Sequence, residues 1–141
     1  MARILVVGWD GRAEVIAREL RERGHLVRGT SLTETQLPAI DSAGAEGVVA
    51  DPDRLGTLLP HLQGVSAVCW LAGENERLAT LVETLVDTHA RGLVCEPGPA
   101  ADAARRVAET SNVGFETASE PDSIARALDR VLAIREGPSR G

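Results

Sequence analysis

Lysine and tyrosine are absent from this chain of 141 residues, and all of its fixed positive side-chain charge rests on 15 arginines. Aromatic residues are scarce as well: two tryptophans, Trp9 and Trp70, and one phenylalanine, Phe115. Without a lysine there is no Schiff base and no phosphate transfer built on a P-loop lysine. Without tyrosine and lysine together there is no Tyr/Lys proton relay. Two cysteines do not make a disulfide framework. Cys69 and Cys95 each sit inside an apolar run and read as buried thiols of a cytoplasmic protein. His25, His61 and His89 fall on separate segments, and no Cys/His spacing marks a metal site. The net charge is −6 and no basic run stands out, which argues against nucleic acid as a partner. The first apolar run, Ile4 to Val7, is too short for the core of a signal peptide or for a membrane span, so no membrane partner is expected. A Gly-x-Ser-x-Gly elbow is also missing, which removes the corresponding hydrolases.

What is present is an ordinary globular balance, 43% apolar and 26% charged, at a length that suits one domain. Short β-branched runs alternate with helical patterns. Strands are predicted at Arg3–Val7, His25–Gly29, Gly47–Ala50, Val65–Leu71, Gly92–Cys95 and Val113–Thr117. Between the first two, Ala13, Ile16, Ala17 and Leu20 have helical spacing, and Gly24 closes that helix. Ser31 and Glu34 form a capping box for a short helix to about residue 43. Asp51 and Pro52, at N-cap and N1, introduce a helix carrying Leu55, Leu58, Leu59 and Leu62. Further helices are predicted over Glu76–Ala90, Ala100–Glu109 and Pro121–Glu136. Residues 137–141 read as a flexible tail.

Six apolar strands alternating with helices imply an α/β domain over residues 1–136, with a parallel sheet covered on both faces. Right-handed crossovers and six units favour the doubly wound, Rossmann-type order 3-2-1-4-5-6 over the flavodoxin-like order. In such a sheet, ligands bind beyond the carboxyl ends of the strands.

At that edge the first strand runs into Gly8-Trp9-Asp10-Gly11-Arg12, the placement of a dinucleotide-binding turn. Gly8 suits the tight turn and Gly11 the approach of a pyrophosphate to a helix N-terminus. Val48-Val49-Ala50-Asp51 and Leu71-Ala72-Gly73 follow at the ends of the third and fourth strands. With Arg23-Gly24-His25-Leu26-Val27-Arg28, these segments make roughly residues 1–75 resemble the nucleotide-binding part of extended and atypical short-chain dehydrogenase/reductases, akin to NAD-dependent epimerases and dehydratases. That resemblance implies that Gly8 and Gly11, with Trp9, Asp10 and Arg12, lie under the pyrophosphate. It places Asp51 and Pro52 at the adenine, and Leu71, Ala72 and Gly73 along the adenosine and nicotinamide side. The ribose-gripping acid of that family is replaced by Gly29-Thr30-Ser31 after Arg28, which favours a 2′-phosphate at Thr30 and Ser31, and so NADP(H) over NAD(H). Glu14 stands at the third glycine of the family's loop. The family's catalytic Tyr and Lys have no counterpart here.

Charge at the same edge complicates cofactor binding. Asp10, Asp51, Asp53, Glu74, Glu76, Glu96 and Glu120 gather there, against Arg12, Arg54 and Arg77. Glu74 and Glu76 read as N-terminal charge on the helix that follows them. Trp70 reads as core packing, with a place beside the crevice as the alternative, while Trp9, in the turn on a neighbouring segment, is expected to flank the crevice. Three functions fit these residues. The first is a stand-alone NAD(P)-binding sensor or regulatory module without its own catalysis. The second is a subunit of an oxidoreductase or epimerase completed by a partner chain. The third is a ligand-free interaction module on a degenerate fold. A homodimer through the helices near 76–90 and 121–136 fits all three.

Overall fold

Ile4, Leu5, Val6 and Val7 are all fully buried, and this one run sets the layering of the molecule. Successive side chains of a strand point to opposite faces of its sheet. Ile4 and Val6 accordingly join one apolar cluster and Leu5 and Val7 the other, so the strand is covered on both sides. In the computed structural model, which describes residues 2–133, this run is the centre of a six-stranded parallel sheet.

The elements follow in the order β1 (Arg3–Val7), α1 (Gly11–Glu22), β2 (Leu26–Ser31), α2 (Leu37–Ser42), β3 (Glu46–Val49), β4 (Ala67–Trp70), α3 (Arg77–Leu85), β5 (Gly92–Cys95), α4 (Pro99–Ser111), β6 (Gly114–Thr117) and α5 (Pro121–Leu132). The strand order is β3-β2-β1-β4-β5-β6, the doubly wound order expected from the sequence. Every pairing is parallel, with Ile4 opposite Val27 on one side and Ala67 on the other.

One layer packs α1, α2 and α5 on the sheet through Ile16, Leu20, Ile40, Ile124 and Leu128. The other packs α3 and α4, with the segment between β3 and β4, through Leu58, Leu62, Leu81 and Ala104. Leu78, Leu81, Val82 and Leu85 of α3 are buried, and each such side chain stabilises the fold by about 1.5–3 kcal/mol. The apolar faces of α3 and α5 are thus used against the sheet. Cys69 and Cys95 are both buried and unpaired, and they fall in different layers. No helix among the described residues is long and apolar enough to cross a membrane.

The local signals hold best at α1. Asp10 caps it, its Oδ1 accepting the Ala13 N–H at 3.1 Å. Gly24, at φ +88°, follows its last turn. They fail in the crossovers. In place of the expected helix after Asp51-Pro52 there are two 3₁₀ segments, Leu55–Thr57 and Leu59–Leu62. Pro60 lacks the N–H that a continuous α-helix would bond to the Gly56 carbonyl. Asp51 Oδ1 accepts from the nearby Asp53 N–H at 2.9 Å, an Asx turn where a helix cap was expected.

Ser31 is likewise no capping-box residue. It ends β2, and its hydroxyl engages the backbone of Thr33. The chain then makes a 3₁₀ turn at Glu34–Gln36 before the short α2. The helix predicted to Ala90 stops at Leu85, where Thr88 Oγ1 donates to the Leu85 carbonyl at 2.8 Å and accepts from Ala90 N–H at 3.1 Å. The last residues of the helix predicted to Glu136, and the tail at 137–141, lie outside the described residues.

Candidate functional site

At the carboxyl edge of the sheet the ends of β1, β2, β3 and β4 are drawn together by short bonds. Gly8, first residue after β1, has φ +91°, and a Cβ on it would lie 3.3 Å from the Ala72 backbone nitrogen. Only glycine meets both constraints without strain. The Gly8 N–H donates to Thr30 Oγ1 at 3.1 Å, tying β1 to the end of β2. The Leu71 N–H donates to the Val7 carbonyl at 2.9 Å, and the Ala50 N–H to the Ser31 carbonyl at 3.0 Å. Thr57 fixes the next turn, its Oγ1 accepting the Asp51 N–H at 2.8 Å.

These ends enclose a crevice of ≈ 720 Å³. Of the residues singled out in the sequence, Gly8, Trp9, Thr30, Ser31, Asp51, Pro52 and Ala72 line it together. Leu71 is buried beneath the edge. Gly73 belongs instead to a neighbouring pocket of ≈ 180 Å³ bordered by Trp70, Glu74, Cys95 and Glu96. Asp10, Gly11 and Arg12 form the adjoining start of α1, where the space beside Gly11 is open.

Sequence reasoning did not pick out Leu32, Thr33, Thr35 and Gln36, which form the wall beyond β2. It also did not bring Asn75 into the site. Asn75 Nδ2 donates to Asp53 Oδ1 at 2.7 Å, and both residues line the same crevice. The one signal for them was position: each follows a strand end of a doubly wound sheet.

The two tryptophans do not form a pair across the crevice. Trp9 is 91% buried, its residual exposure being 9%, and packs with the α1 and α5 layer. A Cβ on Gly29 would overlap its ring, so that glycine is what admits the indole. Trp70 lies in the opposite layer and donates its indole N–H to the Gly73 carbonyl at 2.9 Å.

Charges at this edge are largely engaged with one another. The Arg12 guanidinium bridges Asp10 at 2.9 Å and Glu96 at 2.8 Å, linking the end of β1 to the loop after β5. The hydrogen bond to Asp10 raises the Arg12 pKa further, against the opposing effect of burial. Contrary to expectation, Glu74 does not serve the helix that follows it. It accepts the Ala100 N–H at 2.9 Å and so caps α4, and Gly98 leaves room for its carboxylate. Asn75 supports α3 instead, its Oδ1 accepting from the Arg77 N–H at 2.9 Å.

Arg28 is remote from the crevice lining. Its Nε donates to Glu46 at 2.9 Å and its Nη1 to the His61 carbonyl at 2.7 Å. No group of three metal-ligating side chains occurs among the described residues.

No protein-family model matches the chain, and no curated protein matches its sequence. Solved structures do share its fold. The UDP-N-acetylglucosamine 4-epimerase of Bacillus cereus superposes with a TM-score of 0.65 at 12% identity, over 83% of this chain and 53% of its own. The Citrobacter triphenylmethane reductase, solved with NADP(H), gives 0.65 at 14% identity, over 82% of this chain and 48% of its own. The chain spans about half the length of such reductases, as it does for the vestitone reductase of alfalfa at 56%. The TrkA-N domain of the inner membrane protein ybaL of Escherichia coli is matched nearly end to end, over 94% of this chain and 98% of its own, with a TM-score of 0.62 at 12% identity. The likeness reaches beyond the segments of residues 1–75 that suggested it, and at these identities it is a likeness of fold: the chain is a doubly wound, Rossmann-type α/β domain.

Proposed function

We propose that this chain binds a nicotinamide dinucleotide, NAD(P)(H), and works as a sensor or regulatory module without the catalytic chemistry of short-chain dehydrogenases. The observation that carries the reading is the crevice at the ends of β1 to β4, whose volume suits a small-molecule site. The adenosine end fits its residues. Asp51 Oδ1 is engaged by Asp53, while Oδ2 has no hydrogen-bond partner among the described residues and can accept an adenine amino N–H. The pyrophosphate would lie by the start of α1, over the open side of Gly11, with Arg12 as the cation at hand. The bound dinucleotide would bring hydride-transfer capability. The chain has neither Tyr nor Lys to move the accompanying proton in the manner of that family.

A second reading, a ligand-free interaction module, is favoured by the carboxylates of Asp10, Glu14 and Glu96 around the α1 N-terminus. Thermal unfolding with and without NADH or NADPH separates the two. A ligand at a hundred times its Kd stabilises the native state by about 2.7 kcal/mol, about 5–10 °C in Tm for a domain of this size. A rise of that order at millimolar dinucleotide, with a change in tryptophan emission, is the expected result. An unchanged Tm with both dinucleotides overturns the binding reading and leaves the interaction module.

A further inference from the structure

Among the described residues, two carboxylates and no cation line the crevice. The wall beyond β2, where a nucleotide's adenosine ribose lies in a doubly wound fold, is formed by the uncharged Leu32, Thr33, Thr35 and Gln36. Asp51 and Asp53 line the same crevice. At the end of β2, Thr30 is fully buried with its Oγ1 accepting from Gly8 N–H, and the Ser31 hydroxyl donates to the Thr33 carbonyl. Arg28 is held by Glu46 and the His61 carbonyl, with its side chain only 13% exposed. Arg77 lies 3.9 Å from Asp53 and lines the adjoining depression, not the crevice.

We propose that this crevice selects an adenine dinucleotide whose ribose 2′-hydroxyl is free, NAD(H) in preference to NADP(H). The proposal rests on the dinucleotide reading above. A 2′-phosphate carries about −1.5 to −2 charges at pH 7 and needs cationic or backbone donors to replace its water. Here it would meet neutral side chains and two carboxylates. Each like charge a few ångström away costs on the order of 1 kcal/mol even when solvated, and 1.4 kcal/mol is tenfold in affinity. A 2′-hydroxyl, by contrast, needs only the Thr35 hydroxyl or the Gln36 amide, both at exposed positions of that wall.

Isothermal titration of the full chain with NADH and with NADPH, at low and high salt, tests this. NADH is expected to bind about tenfold or more tightly than NADPH, with the ratio shrinking as salt screens the carboxylates. Gln36→Arg places a cation on the wall at an exposed site and is expected to reduce the NADH/NADPH preference by about tenfold. Equal binding, or tighter NADPH, overturns the selectivity while the dinucleotide reading stands. An unchanged ratio in a folded Gln36→Arg variant, judged by circular dichroism, overturns the placement of the 2′ position at this wall. Failure of both dinucleotides to bind at millimolar concentration overturns the dinucleotide reading, and the selectivity falls with it.

Discussion

Gly8 shows how much of the site depends on one position. Its φ of +91° strains any side chain, and a Cβ there would press on the Ala72 backbone at 3.3 Å. Gly8→Ala is expected to lower stability by about 1–3 kcal/mol, read as a lower denaturant midpoint at unchanged slope. The same substitution at Gly11, with no heavy atom near its Cβ position and no positive φ, is expected to change stability by less than about 1 kcal/mol. The sequence makes these two glycines look alike, both punctuating one turn. The positive φ of Gly8 and the position of Ala72, brought from 64 residues away by the pairing of β1 with β4, separate them. Trp9 both lines the crevice and is buried, because Gly29 on the neighbouring strand opens a slot for its ring. That vacancy is a property of two strands and is invisible in either alone.

Helix caps carry the corresponding lesson for elements. The carboxylate of Glu74 reads naturally as first-turn charge on the helix just downstream, yet its Oε1 accepts from Ala100 at the start of α4. Glu74→Ala is therefore expected to cost about 1 kcal/mol, while Glu76→Ala, which removes no cap hydrogen bond, stays within about 0.5 kcal/mol. Equal losses in chemical denaturation would contradict this assignment. Strands and long helices were legible because their patterns are local: the buried run of β1, the spacing of α1, the face of α3. The crossover between β3 and β4 was not. Its leucines have helical spacing, but an Asx turn at Asp51 precedes two 3₁₀ segments, the second holding Pro60. Leu58 and Leu62 still reach the core, so the apolar pattern was met by different backbone geometry. At the crevice, the wall from Leu32 to Gln36 escaped notice because its short polar residues form no motif.

For the whole molecule, the missing lysines and tyrosines have a thermodynamic consequence. Burial pushes both thiols, Cys69 and Cys95, up to about 12. In the unfolded chain a cysteine titrates near about 8.5. Below that pH both states hold the thiol proton and the contribution to stability is complete. As pH rises from about 8.5 towards 12, the unfolded state releases protons that the native state retains, so stability falls. The limiting slope is about 1.4 kcal/mol per pH unit for each thiol. With no Tyr and no Lys, no other side chain is due to titrate between about pH 8.5 and 11.5. Urea unfolding at successive alkaline pH values is expected to show this decline in the native sequence. The decline should disappear in the double variant Cys69→Ala, Cys95→Ala, whatever its baseline stability. A slope that persists there would assign the alkaline loss to other groups.

The proposed dinucleotide site lies at one edge of the sheet. The most direct measurement is the backbone amide NMR spectrum of the isotopically labelled protein during titration with NADH. Binding in the crevice predicts that resonances of Gly8, Thr30 to Gln36, Asp51, Asp53 and Ala72 shift together on one titration curve. Those of His25 and Asp129, which meet at 3.2 Å at the opposite end of the sheet, should stay in place. A spectrum unchanged by millimolar NADH, or shifts confined to the separate pocket around Leu59, Leu62 and His89, would contradict the account.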